Sequence, residues 1–561
     1  MPASRKRKPA KAIPAAQPWT SRARAALGFL ERRSRALALL LVLIGSLRIV
    51  STYAVFNHVL DEPEHLARGM AWWEGRAVGP PTEHTPLARA AAAMGPYLLG
   101  MRTPPRSDAP SPDLDTPYLG LDILYRDHKY QRNLALVRLG VLPFFWVACL
   151  VVYQWGKRCR GPAVAVLAVL FFSFLPPVLA HAGLGTTDMA LTAFLGAAFL
   201  TAVIWVENPT PRHALWLGAA CGLAVLSKLS SLPFFAAAAG IALLWHVATE
   251  RPPTASLARA AWRRIPTLCL AGLAACLLVW AGYRFAVGRV NGVLLPAPDL
   301  FTAIQGVAKH NRYGHWSYLL GQFSNTGFWY FFPVVLAVKT PLGFLALAGA
   351  GVALVVRKRV AWPGARLAAA FSAGILLVGM ASRINIGVRH ILPIYIGLSL
   401  TAAVALHEVL ERLPVGRWLA CAAAAATLWF AFSSLLSHPD YLAYFNELAG
   451  SEPEKVLVDS DLDWGQDILR LGTRLRELGA QSVFLATFTD ARFEAEHGFP
   501  PTYQIVPTMP GPGWNAISVS PWKLSRLGTR LMGNVPLWPD RYKPTERVGK
   551  SILLYYFPER R

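Results

Sequence analysis

The sequence has 561 residues, of which 54% are hydrophobic and only 16% are charged. This composition excludes an ordinary soluble enzyme of that length and is typical of a membrane protein with several spans. The formal net charge of +24 would suggest nucleic acid in a soluble protein, but membrane orientation uses Lys and Arg for its own reason. Nucleic acid is therefore not a predicted partner. The six cysteines show no metal-ligand spacing and predict neither a zinc site nor a disulfide framework.

The chain starts with a basic segment, residues 1–35, which predicts a disordered cytoplasmic tail before a retained first membrane helix. Apolar runs of about 17 to 25 residues, long enough to cross a bilayer, follow it. They predict about eleven spans in a membrane module of residues 36–436. The predicted spans are 36–56, 134–155, 161–180, 188–206, 214–227, 232–248, 266–287, 329–356, 367–381, 390–407 and 418–436.

The basic loops of the chain fix the predicted orientation. If the N-terminus is cytoplasmic, alternation of the spans puts the short Lys- and Arg-rich loops on the same side, as the positive-inside rule requires. These loops are 157–160, the turn at Arg212, 251–264, 357–359 and 412–417. The unusual polar clusters then share the opposite, outer side, and a single outward-facing site is predicted. These clusters are 61–89, 181–188, 227–228, 289–328 and 383–390.

Two parts of the chain outside the spans have a predicted structure. The first outer loop, 57–132, contains the apolar segment 87–99, which is too short to span and suits a helix lying in the membrane interface. Hydropathy drops after residue 436, and residues 437–561 predict a small α/β domain outside the membrane. Its predicted strands are 455–459, 482–487, 516–520 and 551–557, and its predicted helices are 466–478 and 490–497.

The segment Asp61-Glu62-Pro63-Glu64-His65 brings three carboxylates and a histidine to the end of the first span. One interpretation is a solvated helix start, in which Pro63 opens the next helix and the acids favour its N-terminus. The other is a catalytic base, because carboxylates at a membrane boundary are costly unless they are used or paired. Glu83 and His84 add further proton-accepting groups to the same loop, which favours the second interpretation.

The turn His181 to Asp188 carries a second outward carboxylate. Asp188 could cap the next helix, with Thr186 and Thr187 as turn residues. Alternatively it orients an acceptor across the cavity from the first cluster, or holds a divalent cation with oxygen and imidazole ligands.

Cations interrupt apolar sequence at two outer helix ends, at Lys228 and at Arg389-His390. A single lysine can extend its ammonium group to the interface without a specific function. Two separate cations on the face that holds the acids favour binding of an anionic head group, for which phosphate is the obvious candidate.

Two further segments leave both a structural and a functional interpretation open. The loop 309–329 contains His315 among aromatic, amide and hydroxyl groups that suit sugar binding, but an interfacial aromatic belt has a similar composition. The run Asp459-Ser460-Asp461-Leu462-Asp463-Trp464-Gly465-Gln466-Asp467 could be an acidic site, although a helix start rich in acids is the simpler interpretation.

The order and sidedness of these motifs resemble the GT-C glycosyltransferases, in particular the branch of protein O-mannosyltransferases and aminoarabinose transferases. The resemblance is carried by Asp61-Glu62, by HTPLAR at 84–89, by Thr187-Asp188 and by Lys228. HTPLAR is similar to the HPPLAK motif of that branch and departs from it at Thr85 and Arg89. The resemblance covers most of the chain, and RHILP at 389–393, KTP at 339–341, YLAYFN at 441–446 and DSDLDWGQD at 459–467 resemble segments of bacterial members.

The resemblance implies a helical membrane module with two juxtamembrane helices in the first outer loop. It also implies inverting transfer of a sugar from a polyprenyl-phosphate donor. Asp61 would be the base, Glu62 and Asp188 would place the acceptor or a cation, and Lys228 and Arg389 would bind the lipid phosphate. His390 and Arg89 are further phosphate candidates, and His84, Glu64, His181 and His315 are candidates for substrate or metal. Some relatives use a divalent metal such as Mg or Mn, and this sequence does not decide between them.

Two other classes of function stay open at this point. A transporter or flippase of lipid-linked sugars would need a pathway reaching both faces and repeated halves, whereas the polar clusters here share one face and no repeat is found. A non-catalytic scaffold is the third class. The predicted location is the bacterial inner membrane, with a cytoplasmic N-terminus and a periplasmic C-terminal domain. The sequence names neither the sugar nor the acceptor, which could be a protein, a lipid or a cell-envelope glycan.

Overall fold

The chain folds into a bundle of long helices with a smaller α/β domain at one end. The computed structural model describes residues 18–76, 78–79, 82–104, 112–357, 363–411, 417–531 and 535–558. About half of the predicted tail (1–17) and parts of two predicted cytoplasmic loops (358–359 and 412–416) lie outside these residues. Helix α1 (Pro18–Arg32) is rich in the helix formers Ala, Arg and Leu, so the predicted disorder of segment 1–35 is wrong for this part.

Every predicted span has a helical counterpart, as expected for backbone that must satisfy its own hydrogen bonds in lipid. The helices are α2 (Ser34–Val50), α6 (Tyr130–Arg160), α7 (Pro162–Ser173), α8 (Pro176–Ala182), α9 (Asp188–Glu207), α10 (Pro211–Ser227), α11 (Ser231–Glu250), α12 (Thr254–Gly282), α14 (Phe331–Lys339), α15 (Leu342–Val356), α16 (Pro363–Ala381), α17 (Ile394–Glu411) and α18 (Arg417–Leu436).

Not all of these helices are long enough to cross a membrane as single straight elements. Among the described residues, seven are long and apolar enough, and the pair α7 and α8, bent by 68°, makes an eighth. The bend comes just before Pro176, whose ring and missing N–H interrupt a helix. Helices α2 and α10 have 17 residues each, and the span predicted at 329–356 is broken at Pro341 into α14 and α15.

The bundle has an inner and an outer layer. In the most apolar part of α17, 78% of the residues are buried, whereas in α11 and in α12 only 11% are, although these two helices are more apolar. An apolar helix that is not covered by protein needs lipid as its solvent. Helices α6, α7 and α17 therefore form the protein core, and α11 and α12 face the membrane.

The first outer loop folds over one end of the bundle. It forms α3 (Glu62–Glu74), α4 (Pro86–Leu98) and α5 (Pro112–Leu124), and α4 is the short helix predicted at 87–99. Helices α3 and α4 cross so closely that a Cβ atom on Gly69 would lie 2.0 Å from the carbonyl oxygen of Arg89. Only glycine allows this crossing, which brings the two ends of the 61–89 cluster together.

The loop between α12 and α14 adds two small hairpins and a helix to the same end. Strands β1 (Val287–Val290) and β2 (Val293–Pro296) pair antiparallel, and so do β3 (Ser317–Leu319) and β4 (Gln322–Ser324). Helix α13 (Pro298–Tyr313) lies between the hairpins in sequence and carries His310.

The C-terminal part contains a five-stranded mixed sheet of order β6-β5-β7-β9-β8. Its strands are β5 (Val483–Ala486), β6 (Thr502–Gln504), β7 (Gly513–Ser518), β8 (Glu546–Val548) and β9 (Ile552–Phe557), and its helices are α19 (Ile468–Glu477), α20 (Phe493–His497) and α21 (Val519–Leu531). The apolar side of α19 packs on the sheet, as its amphipathic pattern predicts. The predicted fold class, mainly helical with a small α/β domain, is confirmed.

The strand predicted at 455–459 is wrong. Short 3₁₀ turns occupy Pro453–Lys455 and Asp459–Asp461 instead. Asp459 has a φ of 60°, which no strand can contain, and its side chain accepts a hydrogen bond from the N–H of Ser460. This acidic segment consequently forms a compact loop at the junction between the bundle and the sheet.

Candidate active site

Two ion pairs join the four residues that the sequence singled out most strongly. An Nη1 of Arg389 lies 2.9 Å from Oδ2 of Asp61, and Nζ of Lys228 lies 2.6 Å from Oδ1 of Asp188. These residues come from four distant parts of the chain but meet at one end of the bundle. Four of the five predicted outer clusters are thereby joined in pairs by side-chain contacts.

Asp61 stands at the start of α3, with Pro63 in the first turn of that helix. Its side chain is 25% exposed, so water or a substrate can reach the carboxylate. Arg389 is buried in a 3₁₀ turn, Val388–Ile391, between α16 and α17. The pair thus consists of a reachable acid and a fixed cation.

Asp188 is fully buried at the start of α9, and Lys228 follows the end of α10. The ammonium group of Lys228 binds one carboxylate oxygen, while the other, Oδ2, is buried without a hydrogen bond. A buried polar atom without a partner is costly, and it marks a position where a ligand group or a water can bind.

Glu62 is also completely buried, but its carboxylate is fully occupied. It binds Nε and Nη2 of Arg138 at 3.0 and 2.9 Å and accepts the N–H groups of Val59 and Gly185 at 2.9 and 2.8 Å. Burial alone raises the pKa of Glu62, but Arg138 and the backbone donors outweigh it and hold this pKa below the usual range. These contacts favour a positioning role for Glu62 over the predicted direct role.

Arg138 is the partner that the sequence interpretation missed. It lies in α6 within the predicted span 134–155 and is fully buried. A lone charge within an apolar span requires a partner, so its position alone was the signal that could have found it. Its guanidinium also donates to the carbonyl groups of Phe56 and Asn57, which fixes the chain just before Asp61.

Two histidines and Arg89, all from the first outer loop, contact one another beside the ion pairs. Nε of Arg89 lies 3.2 Å from Nδ1 of His65, and the rings of His65 and His84 meet edge to face at 5.0 Å. Burial and the charge of Arg89 hold the pKa of both histidines well below the usual value, so both are neutral near pH 7. Arg89 also lies 3.6 Å from Glu64, which places this predicted phosphate ligand beside an acid.

His181 and His390 complete the cluster around the ion pairs. His181 is buried with its Nδ1 atom unpaired, and its ring lies 6.4 Å from that of Trp464. Burial, with the charges of Lys228 and Arg389, holds the pKa of His390 well below its usual value. His390, a predicted phosphate ligand, is therefore a neutral donor or acceptor there and not a cation.

His315 lies at the edge of the site. It forms a row of hydrogen-bonded side chains with His310 and Glu83. Nδ1 of His310 is 2.8 Å from Oε2 of Glu83, and Nε2 of His310 is 3.1 Å from Nδ1 of His315. The hydrogen bond with Glu83 raises the pKa of His310, whereas burial lowers the pKa of His315. This chain ties α13 to the first outer loop.

We expect the protection of α13 against hydrogen–deuterium exchange to fall as the pH rises from about 6 to about 9. Because the folded pKa of His310 is raised, its contribution to stability is complete below the ordinary histidine pKa and is lost above the raised one. Glu83→Gln should remove this pH dependence after correction for intrinsic exchange. Glu496→Gln, which removes the similar contact to the exposed His128, should preserve it; equal pH dependence in both variants would refute the assignment.

The residues of the site do not fit a divalent cation held by several side chains. No group of three or more His, Cys, Asp or Glu residues suitable for a metal occurs in the described parts of the chain. Both acids proposed for such a role, Glu62 and Asp188, already face a cationic side chain.

A comparison with protein-family models identifies part of the chain. Residues 131–280 match the family described as dolichyl-phosphate-mannose-protein mannosyltransferase. Over these residues the chain is similar to a family of membrane glycosyltransferases. The predicted GT-C resemblance is thereby confirmed for helices α6 to α12, which include Asp188 and Lys228, whereas Asp61 and Arg389 lie outside the matched residues.

Solved GT-C structures are similar to the chain at low identity. ArnT from Cupriavidus metallidurans bound to undecaprenyl phosphate matches with 14% identity over 92% of this chain and 97% of that one, at a TM-score of 0.49. The oligosaccharyltransferase AglB from Archaeoglobus fulgidus, in complex with an inhibitory peptide and a dolichol-phosphate, matches with 12% identity over 87% and 70%, at 0.40. The A. fulgidus enzyme in complex with Zn and sulfate matches with 13% identity over 91% and 72%, at 0.44. At these values the likeness does not identify a ligand of this chain. No curated protein matches it.

Proposed function

We propose that this protein is an inverting GT-C glycosyltransferase that moves a sugar from a polyprenyl-phosphate donor to an acceptor hydroxyl or amine. The observation that carries the proposal is the pair of ion pairs, Asp61 with Arg389 and Asp188 with Lys228, at one end of an apolar helical bundle. A base and phosphate-binding cations are the groups that this reaction requires. The family match of residues 131–280 supports the same class.

In the proposed reaction Asp61 takes the proton of the acceptor group. The acceptor oxygen or nitrogen attacks the anomeric carbon from the side opposite the phosphate, and a new glycosidic bond forms with inversion. The bond between the anomeric carbon and the phosphate oxygen breaks, and its electron pair stays on the polyprenyl phosphate. Arg389 and Lys228 stabilise the charge that develops there. The products are the glycosylated acceptor and free polyprenyl phosphate.

Asp61 and Asp188 hold the cationic side chains of Arg389 and Lys228 in positions where they can bind an anion. A donor phosphate can replace Asp61 as a partner of Arg389 and share Lys228 with Asp188. This exchange leaves the Asp61 carboxylate free beside the acceptor at the moment when it must take a proton. Asp188 then keeps Lys228 in place and offers its unpaired Oδ2 to an acceptor group.

The proposed location is the bacterial cytoplasmic membrane, with the site and the C-terminal domain on the periplasmic side. The positive-inside distribution of the loops supports this orientation. A transporter of lipid-linked sugars would need ionisable groups along a path to the opposite end. The ion pairs around Asp61 and Asp188 lie together at one end, which favours a transferase.

Arg389→Gln is expected to raise the Kd for undecaprenyl phosphate about ten- to a hundredfold, because a charge-assisted hydrogen bond is lost. Native mass spectrometry of the detergent-solubilised full chain, with undecaprenyl phosphate titrated in, measures this change. Arg474→Gln is the matched control, since Arg474 pairs with Glu546 on the C-terminal domain away from the ion pairs. Wild-type protein that binds no undecaprenyl phosphate, or equal affinity of both variants, would contradict the proposal.

A further inference from the structure

The acidic run 459–467, for which a helix start was the simpler interpretation, forms the junction between the C-terminal domain and the site. It is anchored on the domain side, where the N–H of Ser520 donates to Oδ2 of Asp463 at 2.7 Å and Asp467 accepts the hydroxyl of Ser551 at 2.8 Å. On the other side it contacts the turn that carries Arg389. The run is therefore a fixed bridge and not a solvated surface.

Trp464 is the central contact of this bridge. Its side chain is 1% exposed, and the guanidinium carbon of Arg389 lies 4.1 Å from the centroid of its ring. The same side chain packs against Val59 and Leu184, which belong to the segments leading to Asp61 and to Asp188. One indole thus contacts three of the four segments that supply the ion pairs.

The backbone of the bridge is joined to the chain before Asp61 as well. The N–H of Leu60 donates to the carbonyl oxygen of Trp464 at 3.2 Å. The N–H of Asn57 donates to the carbonyl oxygen of Gln466 at 3.3 Å. A displacement of Trp464 would consequently move the backbone just before Asp61.

Ser460 fixes the Nε atom of the Arg389 guanidinium. Its Oγ accepts a hydrogen bond from Nε of Arg389 at 3.2 Å, and Oδ1 of Asp461 accepts the N–H of Val388 at 3.0 Å. The approach requires Gly387, where an added Cβ would lie 2.7 Å from Oγ of Ser460. The guanidinium of Arg389 packs on the Trp464 ring, and its Nε donates to Ser460. Its Nη1 is thereby directed to Asp61.

We propose that Trp464 and Ser460 are positioning residues that hold the guanidinium of Arg389 for the donor phosphate, so that the C-terminal domain completes the active site. The inference rests on the proposed function. Arginine is a long and flexible side chain, and fixing its plane in advance lowers the entropic cost of binding a phosphate with directed hydrogen bonds. The C-terminal domain then contributes directly to donor affinity.

A double-mutant cycle between Trp464 and Arg389 tests the inference in the full chain. Phenylalanine at position 464 keeps an apolar ring but weakens the cation–π contact, so Trp464→Phe should raise the Kd for undecaprenyl phosphate about three- to tenfold. In an Arg389→Gln background the same change should have little further effect, because the cation it positions is absent. An equal increase in the Kd in both backgrounds, or no increase in either, would overturn the inference.

Two further variants separate positioning from folding. Trp155→Phe is the matched control, because Trp155 is also 1% exposed but stacks on Phe199 inside the bundle, and it should leave the Kd unchanged. If Trp464→Phe does not fold, the cycle of Ser460→Ala with Arg389→Gln decides by the same criterion. Wild-type protein without affinity for undecaprenyl phosphate would refute the proposed function itself, whereas wild-type binding without coupling would refute this inference alone.

Discussion

Replacing Asp61 with asparagine is expected to lower the rate of sugar transfer about a thousandfold, the typical contribution of a general base. Asparagine has nearly the same volume and can still accept a hydrogen bond from Arg389, but its amide cannot take the acceptor proton. The variant also loses the charge that competes with the donor phosphate for Arg389. Its affinity for undecaprenyl phosphate should therefore equal or exceed that of the wild type.

Kinetic measurement of kcat together with donor Kd separates this outcome from simple damage to the fold. Asp122→Asn provides the control, because Asp122 also pairs with an arginine, Arg492, but that pair links α5 to the C-terminal domain. That variant should transfer at the wild-type rate. A loss of donor affinity in Asp61→Asn equal to its loss of rate would contradict a role as base.

Glu62→Gln is expected to lower the free energy of unfolding by about 3–5 kcal/mol, because it removes the carboxylate charge that faces the buried guanidinium of Arg138. Both side chains are inaccessible to solvent, so water cannot replace the lost carboxylate oxygen. Thermal unfolding of the purified protein in detergent measures the effect. Glu207→Gln should cost less than about 1 kcal/mol, since Glu207 is 54% exposed and its pair with Arg158 is screened.

The activity of Glu62→Gln below its unfolding transition distinguishes the two roles considered for this residue. A positioning residue should leave the folded fraction with far more activity than Asp61→Asn retains. Full stability combined with a thousandfold loss of transfer would instead show that Glu62 acts on the acceptor directly.

Much of the fold was predictable because membrane spans have strong local signals. Long apolar runs identify helices, and the alternation of basic loops placed the segments of Asp61, Asp188, Lys228 and Arg389 on one side without any knowledge of their contacts. The structure brings these four residues together in two ion pairs. Helix breaks inside predicted spans, such as the one at Pro341, were harder to predict because a short interruption barely changes the hydropathy of the run.

The pairing of side chains was not predictable from the sequence. Asp61 and Arg389 are 328 positions apart, and no local pattern says which acid meets which cation. Glu62 was therefore grouped with Asp61 by adjacency, although a helix start turns the two side chains in different directions. The contacts of Trp464 were not predictable for a related reason, since its partners come from three distant segments.

A single turnover of the donor tests the proposed sugar transfer most directly. Purified protein is loaded with polyprenyl-phosphate sugars extracted from metabolically labelled bacterial membranes, and a membrane extract is added as the source of acceptor. The wild type is expected to release free polyprenyl phosphate and to move the label to an acceptor, while Asp61→Asn binds the donor and keeps it intact. Equal release by both proteins, or an intact donor on the wild type, would contradict the proposed sugar transfer.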